Sequence, residues 1–204
     1  MKPFSKSLTA ILLVSALLAA SMLAAPAAEK TEKAGLPTLL ASCGQSPGPV
    51  KVEVFLKRLK LEYASIPRAT ANDLIERKKK GAPFKSLIIV TGASLKGMGG
   101  AGVSINDELE RTRALIAEAR KQGIKIIGAH VEGMARRSQG AMAGDNSDEL
   151  SIDAVCPQAS LLLIRQDGNE DGRFTAIAKS KNIPLLLFEK NMDLENVLKG
   201  LFTN

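Results

Sequence analysis

The sequence predicts an α/β domain, a three-layer sandwich with a flavodoxin-like or Rossmann-like parallel sheet of five or six strands. Three observations predict it. Short runs such as SLIIVTG, IKIIGAH and SLLLIR are apolar throughout rather than alternating, as strands covered on both faces must be. Amphipathic stretches separate these runs, so strands and helices alternate along the chain. The loops after the strands are long and rich in glycine and polar residues, whereas the returning turns KKGAPF, KQGIK and KNIP are short and plain. That asymmetry places a functional edge on one side of the sheet.

The elements follow in order. A first strand is predicted over 37–42 (PTLLAS), and a helix over 49–60 has Pro49 early, where a missing N–H costs nothing. A weaker strand near 62–66 precedes a helix over 71–80. That helix ends in Arg77 to Lys80, cations that favour a helix C-terminus and face water. A strand over 86–91 leads into a long glycine loop, 92–104. The clearest helix is 106–122: Leu109, Leu115, Ile116 and Ala119 recur near helical spacing, and Gly123 ends it. Strands over 124–130, 160–165 and 183–188 alternate with helices over 148–155, 175–181 and 194–201. No repeat or internal linker divides 37–204, which reads as one domain.

Before it lies a leader. Lys2 and Lys6 form a positive segment, TAILLVSALLAASMLAA is apolar, and Ala25-Pro26-Ala27 supplies small residues for cleavage. Residues 1–27 therefore read as a secretory signal peptide, and 28–36 as a flexible leader. The mature chain is expected in the periplasm or secreted, free of the membrane once cleaved. Removing 27 of 204 residues takes two lysines with it and lowers the formal net charge from +7 to +5. Those charges are dispersed, and one Tyr with no Trp leaves little to stack on bases, so nucleic acid is not an expected partner. A protein partner is unspecified by the sequence. Cys43 and Cys156 fall at opposite edges of a parallel sheet, too far apart to bridge, so both are expected to be buried free thiols. With one His and no Cys/His spacing of metal type, neither a metal nor a cofactor is expected.

In such sheets ligands bind beyond the carboxyl ends of the strands, so the loops there carry the candidate site. GQSPG (44–48) matches the G-x-S-x-G turn of an α/β-hydrolase, but the residue after Ser46 is Pro47, which cannot donate to an oxyanion hole. The alternative keeps the residues and changes their role: Gly44 permits close approach, Gln45 and Ser46 face a ligand, and Ser46 caps a helix whose first N–H groups hold an anion. VTGASLKGMG (90–99) resembles the glycine loop of short-chain dehydrogenases with one residue inserted. The rest of that family's pattern fails, since the single Tyr63 lies upstream and Pro67 stands where its lysine belongs. What remains is a loop of Thr91, Gly92, Ser94, Lys96, Gly97 and Gly99 able to wrap a small ligand, as lid or phosphate cradle. DGNEDG (167–172) matches the start of a calcium loop, but its twelfth position is Ala178 and it follows a strand. It reads as a polar-capped helix entry offering Asp167 and Asn169. His130 ends a strand beside Glu132, Arg136 and Arg137, an arginine pair suited to carboxylate or phosphate.

The stretches LPTLLASCGQSPG, TGASLKGMGGAG, AHVEGMARR and RQDGNEDGRF together resemble an exported bacterial family described only as a domain of unknown function. The resemblance implies a secreted Rossmann-like fold and no established activity. The leading expectation is an extracytoplasmic domain that binds an anionic or polyhydroxylated small molecule. The alternative is an extracytoplasmic hydrolase or transferase using His130 with Glu132 or Asp167 as acid and base. A third class is a scaffold whose loops bind another protein.

Overall fold

Six strands assemble around central ones that are too apolar to face water on either side. In the computed structural model, which describes residues 33–137 and 145–203, they are β1 (Thr38–Cys43), β2 (Tyr63–Ser65), β3 (Ser86–Thr91), β4 (Lys125–His130), β5 (Leu161–Arg165) and β6 (Leu185–Phe188). Every pairing is parallel, in the order β2-β1-β3-β4-β5-β6. Every residue of β1 and β3 is buried, as a central strand requires.

Side chains alternate across each strand, so the sheet feeds two cores. Leu39, Ala41, Leu87, Ile89, Ile126 and Leu162 pack under helices α2 (Ala71–Lys79), α4 (Ile105–Lys121), α5 (Ser147–Val155) and α6 (Arg173–Lys181). Leu40, Ile88, Val90, Ile127 and Leu163 pack under α1 (Gly48–Arg58) and α7 (Asp193–Phe202). The connection from β1 to β2 steps one way along the sheet, and all later ones step the other way. Right-handed crossovers then put α1 on one face and α2, α4, α5 and α6 on the other. The direction reverses between β1 and β3, which is the switch point of the fold.

Strand and helix positions agree with the sequence expectation to within two residues at nearly every end. The cap of α4 explains its sharp start: Ser104 Oγ accepts from Asp107 N–H at 3.2 Å, and the Asp107 carboxylate accepts from Ser104 N–H at 2.7 Å. One element departs from expectation. Part of the glycine loop is a short helix, α3 (Leu95–Gly100), begun by Ser94 Oγ accepting from Gly97 N–H at 3.0 Å and anchored by buried Met98. Three glycines in six positions hide it, since each disfavours a helix interior by about 1 kcal/mol relative to Ala.

The leader also needs correction over 33–36. Lys33 Nζ donates to the carbonyls of Gly200 (2.8 Å) and Thr203 (2.6 Å), and Ala34 N–H donates to Leu201 at 2.9 Å. A cation thus satisfies the last carbonyls of α7 and complements its dipole. The signal-peptide reading and most of the leader lie outside the described residues. Among those described, no helix is long and apolar enough to cross a membrane. Cys43 and Cys156 are both buried and free.

Candidate functional site

The loop after β1 is built to approach the loop after β3. Gly44 (φ 101°) and Gln45 (φ 56°) take left-handed conformations, which turn the chain so that Gln45 bridges Ala93 and Ser94 N–H donates to the Gly44 carbonyl at 2.7 Å. Gly97 must be glycine, because a Cβ there would collide with the Gln45 carbonyl oxygen. Glu108, fully buried on α4, fastens the loop from below. Its Oε2 accepts from Gly44 N–H (3.0 Å), Gln45 Nε2 (2.8 Å) and Arg111 Nη2 (2.8 Å). Burial alone would raise the pKa of Glu108, but these hydrogen bonds outweigh it and hold it below the usual carboxylate range. Gln45 is therefore turned inward, a strut for the loop rather than a ligand contact.

Ser46 is nearly buried, and its Oγ accepts from Gly48 N–H at 3.2 Å. The helix-start reading fails in one respect. The carboxylate of Glu132, itself 6 % exposed, takes that same Gly48 N–H at 3.1 Å. Pro49 has no N–H, and Val50 N–H bonds to the Pro47 carbonyl. The anion position at the start of α1 is filled by the protein's own side chain.

His130 is wholly enclosed. Its Nε2 lies 3.0 Å from the Gly133 carbonyl, which can only accept, so Nε2 carries the proton and Nδ1 presents its lone pair to Thr91 Oγ1 at 3.1 Å. Phe174 lies against the ring with centroids 5.0 Å apart. Burial pushes its pKa down to about 4. With both nitrogens spent and no exposed edge, His130 is a structural residue, and among the described residues no hydrogen bond joins it to Ser46. The geometry offers no support for the acid–base reading on His130.

The two neighbouring arginines have different fates. Arg137, which the sequence offers as half of an anion-binding pair, is 3 % exposed and lies within the core. Its Nε pairs with Glu149 (2.7 Å), Nη2 with Asp171 (2.6 Å), Nη1 with the Gly168 carbonyl, and its guanidinium carbon sits 5.5 Å over Phe174. Burial alone would lower its pKa, but the hydrogen bonds to Asp171 and Glu149 keep it raised. Those pairs pay for its burial by joining the loops after β4 and β5. Arg136 stays at the surface. Its side chain is 27 % exposed, Nη1 donates to the Ala93 carbonyl at 2.8 Å, and Nε approaches Glu132 at 3.6 Å. Gly92 allows this: its Cα faces the Arg136 stem, and its N–H donates to Ser151 Oγ at 2.9 Å.

What the loops do enclose is a cleft of 530 Å³ beyond β3 and β4. Ser94, Leu95 and Lys96 of α3 form one side, Met134 and Arg136 of the turn after β4 another, and Asp145 and Asp148 before and within α5 the third. Asp148 Oδ1 accepts from Ala93 N–H at 2.6 Å. Burial raises its pKa, more than that hydrogen bond and Arg136 lower it. Lys96 is exposed and has no hydrogen-bond or ion-pair partner among the described residues. The site therefore unites Ser94, Lys96 and Arg136, with Arg137 as its floor. Gly99 is exposed with open space around it and is not among the residues that line the cleft.

Asp167 and Asn169 lie elsewhere. Asp167 Oδ1 sits 3.1 Å from Arg165 Nε at a separate 280 Å³ depression beyond β5 and β6. Asn169 Oδ1 accepts from Phe174 N–H at 2.9 Å and its Nδ2 donates to Thr175 Oγ1 at 2.8 Å, so it caps α6. No group of three metal-ligating side chains occurs among the described residues. Sequence reading missed Glu108 and Asp148. A carboxylate in the first turn of a helix looks like a dipole complement, and nothing local marks either as reaching a loop from another strand.

A family model for a domain of unknown function, DUF6305, matches residues 35–202. The chain belongs to that family. The exported-family resemblance drawn from the loops is thereby upheld as a domain of unknown function. No curated protein sequence matches the DUF6305 chain. Solved structures similar to it include a GDSL-like lipase from Bacteroides thetaiotaomicron, at 15% identity over 74% of this chain and 66% of that one, TM-score 0.31. Others are a GDP-L-fucose synthetase from Naegleria fowleri bound to NADP (8%, 76% and 51%, 0.38) and a putative lipolytic protein of the G-D-S-L family from Desulfitobacterium hafniense (16%, 74% and 76%, 0.34). The DUF6305 chain thus spans about two thirds of the first and half of the second. At such identities and TM-scores each activity stays with its own protein.

Proposed function

We propose that the protein is an extracytoplasmic small-molecule-binding domain whose ligand occupies the cleft beyond β3 and β4. The observation that carries this reading is Arg136. It stands partly exposed at the cleft, fixed by the Ala93 carbonyl, with Nη2 unpartnered among the described residues and Lys96 beside the same space. A fixed guanidinium that keeps free donors suits an anionic group. The 530 Å³ volume falls within the range of small-molecule sites. Export rests on the leader pattern of residues 1–27, and the proposed partner is a small molecule rather than nucleic acid or membrane.

The test is a thermal-shift screen of the purified protein against phosphates, nucleotides, sugars and carboxylates. A ligand at a hundredfold excess over its Kd stabilises by about 2.7 kcal/mol. The shift should appear with an anionic compound and be lost in Arg136→Ala and reduced in Lys96→Ala. A shift that survives both substitutions, or none with any compound, would reject the reading.

A further inference from the structure

The cleft holds opposite charges that form no ion pair with each other among the described residues. Arg136 and Asp148 both hold Ala93, one through its carbonyl at 2.8 Å and the other through its N–H at 2.6 Å. One short residue therefore fixes both groups, and they form no ion pair with each other; among the described residues Arg136 pairs only with Glu132, at 3.6 Å. Both line the cleft, and each keeps a polar atom, Nη2 on Arg136 and Oδ2 on Asp148, with no partner among the described residues. Lys96 adds to the positive side and Asp145 to the negative. Between them lies apolar surface: Leu95 is 54 % exposed at the start of α3, and Met134 lines the cleft from the facing turn. Among the described residues no aromatic side chain lines it, so flat rings have none to stack on.

Resting on the binding reading above, we infer that the cleft takes a small aliphatic zwitterion, its carboxylate on Arg136 and Lys96 and its ammonium on Asp148 and Asp145. A purely anionic ligand would meet two carboxylates on the α5 side, and a purely cationic one would meet Arg136 and Lys96. Only a ligand with both charges satisfies both walls, and its aliphatic portion covers Leu95 and Met134.

The probes are a matched trio: leucine, 4-methylpentanoate, which lacks the amine, and 3-methylbutylamine, which lacks the carboxylate. Calorimetric titration is run on wild type, Arg136→Ala and Asp148→Asn. Asn keeps an acceptor for the Ala93 N–H, so the loop stays anchored. Wild type should bind leucine about tenfold or more tighter than either half-molecule, the worth of one charge-assisted contact. Asp148→Asn should bring leucine down to the affinity of the acid, and Arg136→Ala should abolish binding of both. Equal affinity for leucine and 4-methylpentanoate would overturn the zwitterion class, while loss of that binding in Arg136→Ala would leave the cleft standing as an anion site. Failure of leucine to bind, alongside Arg136-dependent binding of inorganic phosphate, would overturn the class in the same way. Binding indifferent to Arg136 would bring down both.

Discussion

Replacing Arg137 by alanine separates architecture from binding more cleanly than any other single change. Its side chain is 2 % exposed and holds Glu149, Asp171 and the Gly168 carbonyl at once. Removing one partner of a buried pair typically costs 3–5 kcal/mol. Here the stranded groups find partial relief. Glu149 keeps Arg173 at 3.1 Å, and Asp171, 34 % exposed, still accepts from Arg173 N–H at 3.1 Å. The low end, about 3 kcal/mol, is the better figure, and it corresponds to a Tm drop of roughly 6–12 °C for a domain of this size. Arg136→Ala removes one hydrogen bond and one 3.6 Å contact from a side chain 27 % exposed. It should cost about 1 kcal/mol, or roughly 2–4 °C. Thermal melts of the two variants by circular dichroism, without added ligand, check the contrast. Arg137→Ala melting within 2 °C of wild type, or Arg136→Ala falling further than it, would refute the assignment of one arginine to the core and the other to the cleft.

Three more outcomes follow from the same geometry. His130 has a folded pKa of about 4 against an ordinary 6.5, so the native state resists a proton that the unfolded chain accepts. Its contribution is complete above pH 6.5 and is lost as pH falls toward 4, by about 3 kcal/mol in all. Denaturant melts across that window should show the slope, and His130→Gln should flatten it; an unchanged slope would show that other groups set it. Ser46→Ala should cost no more than about 1 kcal/mol, since Glu132 still accepts the Gly48 N–H. A fluorophosphonate should leave Ser46 unlabelled, and stoichiometric labelling would contradict its role as a turn residue. Burial pushes the Cys43 thiol up to about 11 and raises Cys156 as well, so an aromatic disulfide reagent should titrate no thiol in native protein and both in denaturant.

Much of this molecule is legible in its sequence because the parts that fold it are local. Runs such as SLIIVT, with every residue buried, announce central strands, and Ser104 with Asp107 announces a helix start within four residues. What escapes is non-local or masked by composition. Three glycines conceal α3, and the reason for one of them, Gly97, is the carbonyl of Gln45 on another loop. Arg136 and Arg137 are adjacent and chemically alike. Only the positions of Glu149, Asp171 and Phe174, contributed by elements farther along the chain, send one inward and leave the other at the surface. His130 likewise looks like a candidate base until Gly133 and Thr91 are seen to occupy both nitrogens.

The placement of Glu132 accounts for why the cleft stands one strand away from the switch point. In doubly wound sheets the crevice between the strands where order reverses, here β1 and β3, is the customary ligand position, with a helix N-terminus supplying N–H donors. Glu132 reaches from the end of β4 to take the Gly48 N–H, and Ser46 Oγ takes what remains of its donor capacity. Glu108 closes the other side by binding Gly44 and Gln45. Two buried carboxylates thus hold the switch-point loops with charge-assisted bonds worth about 1.5–3 kcal/mol each, and an incoming anion would have to displace one of them. Past β3 and β4 the constraint is relaxed. There Arg136 is tethered by a single carbonyl, Lys96 is free among the described residues, and Asp148 spends one oxygen on Ala93 and keeps the other. The carboxylates that rigidify the first crevice leave the second as the place where side chains still have bonds to make.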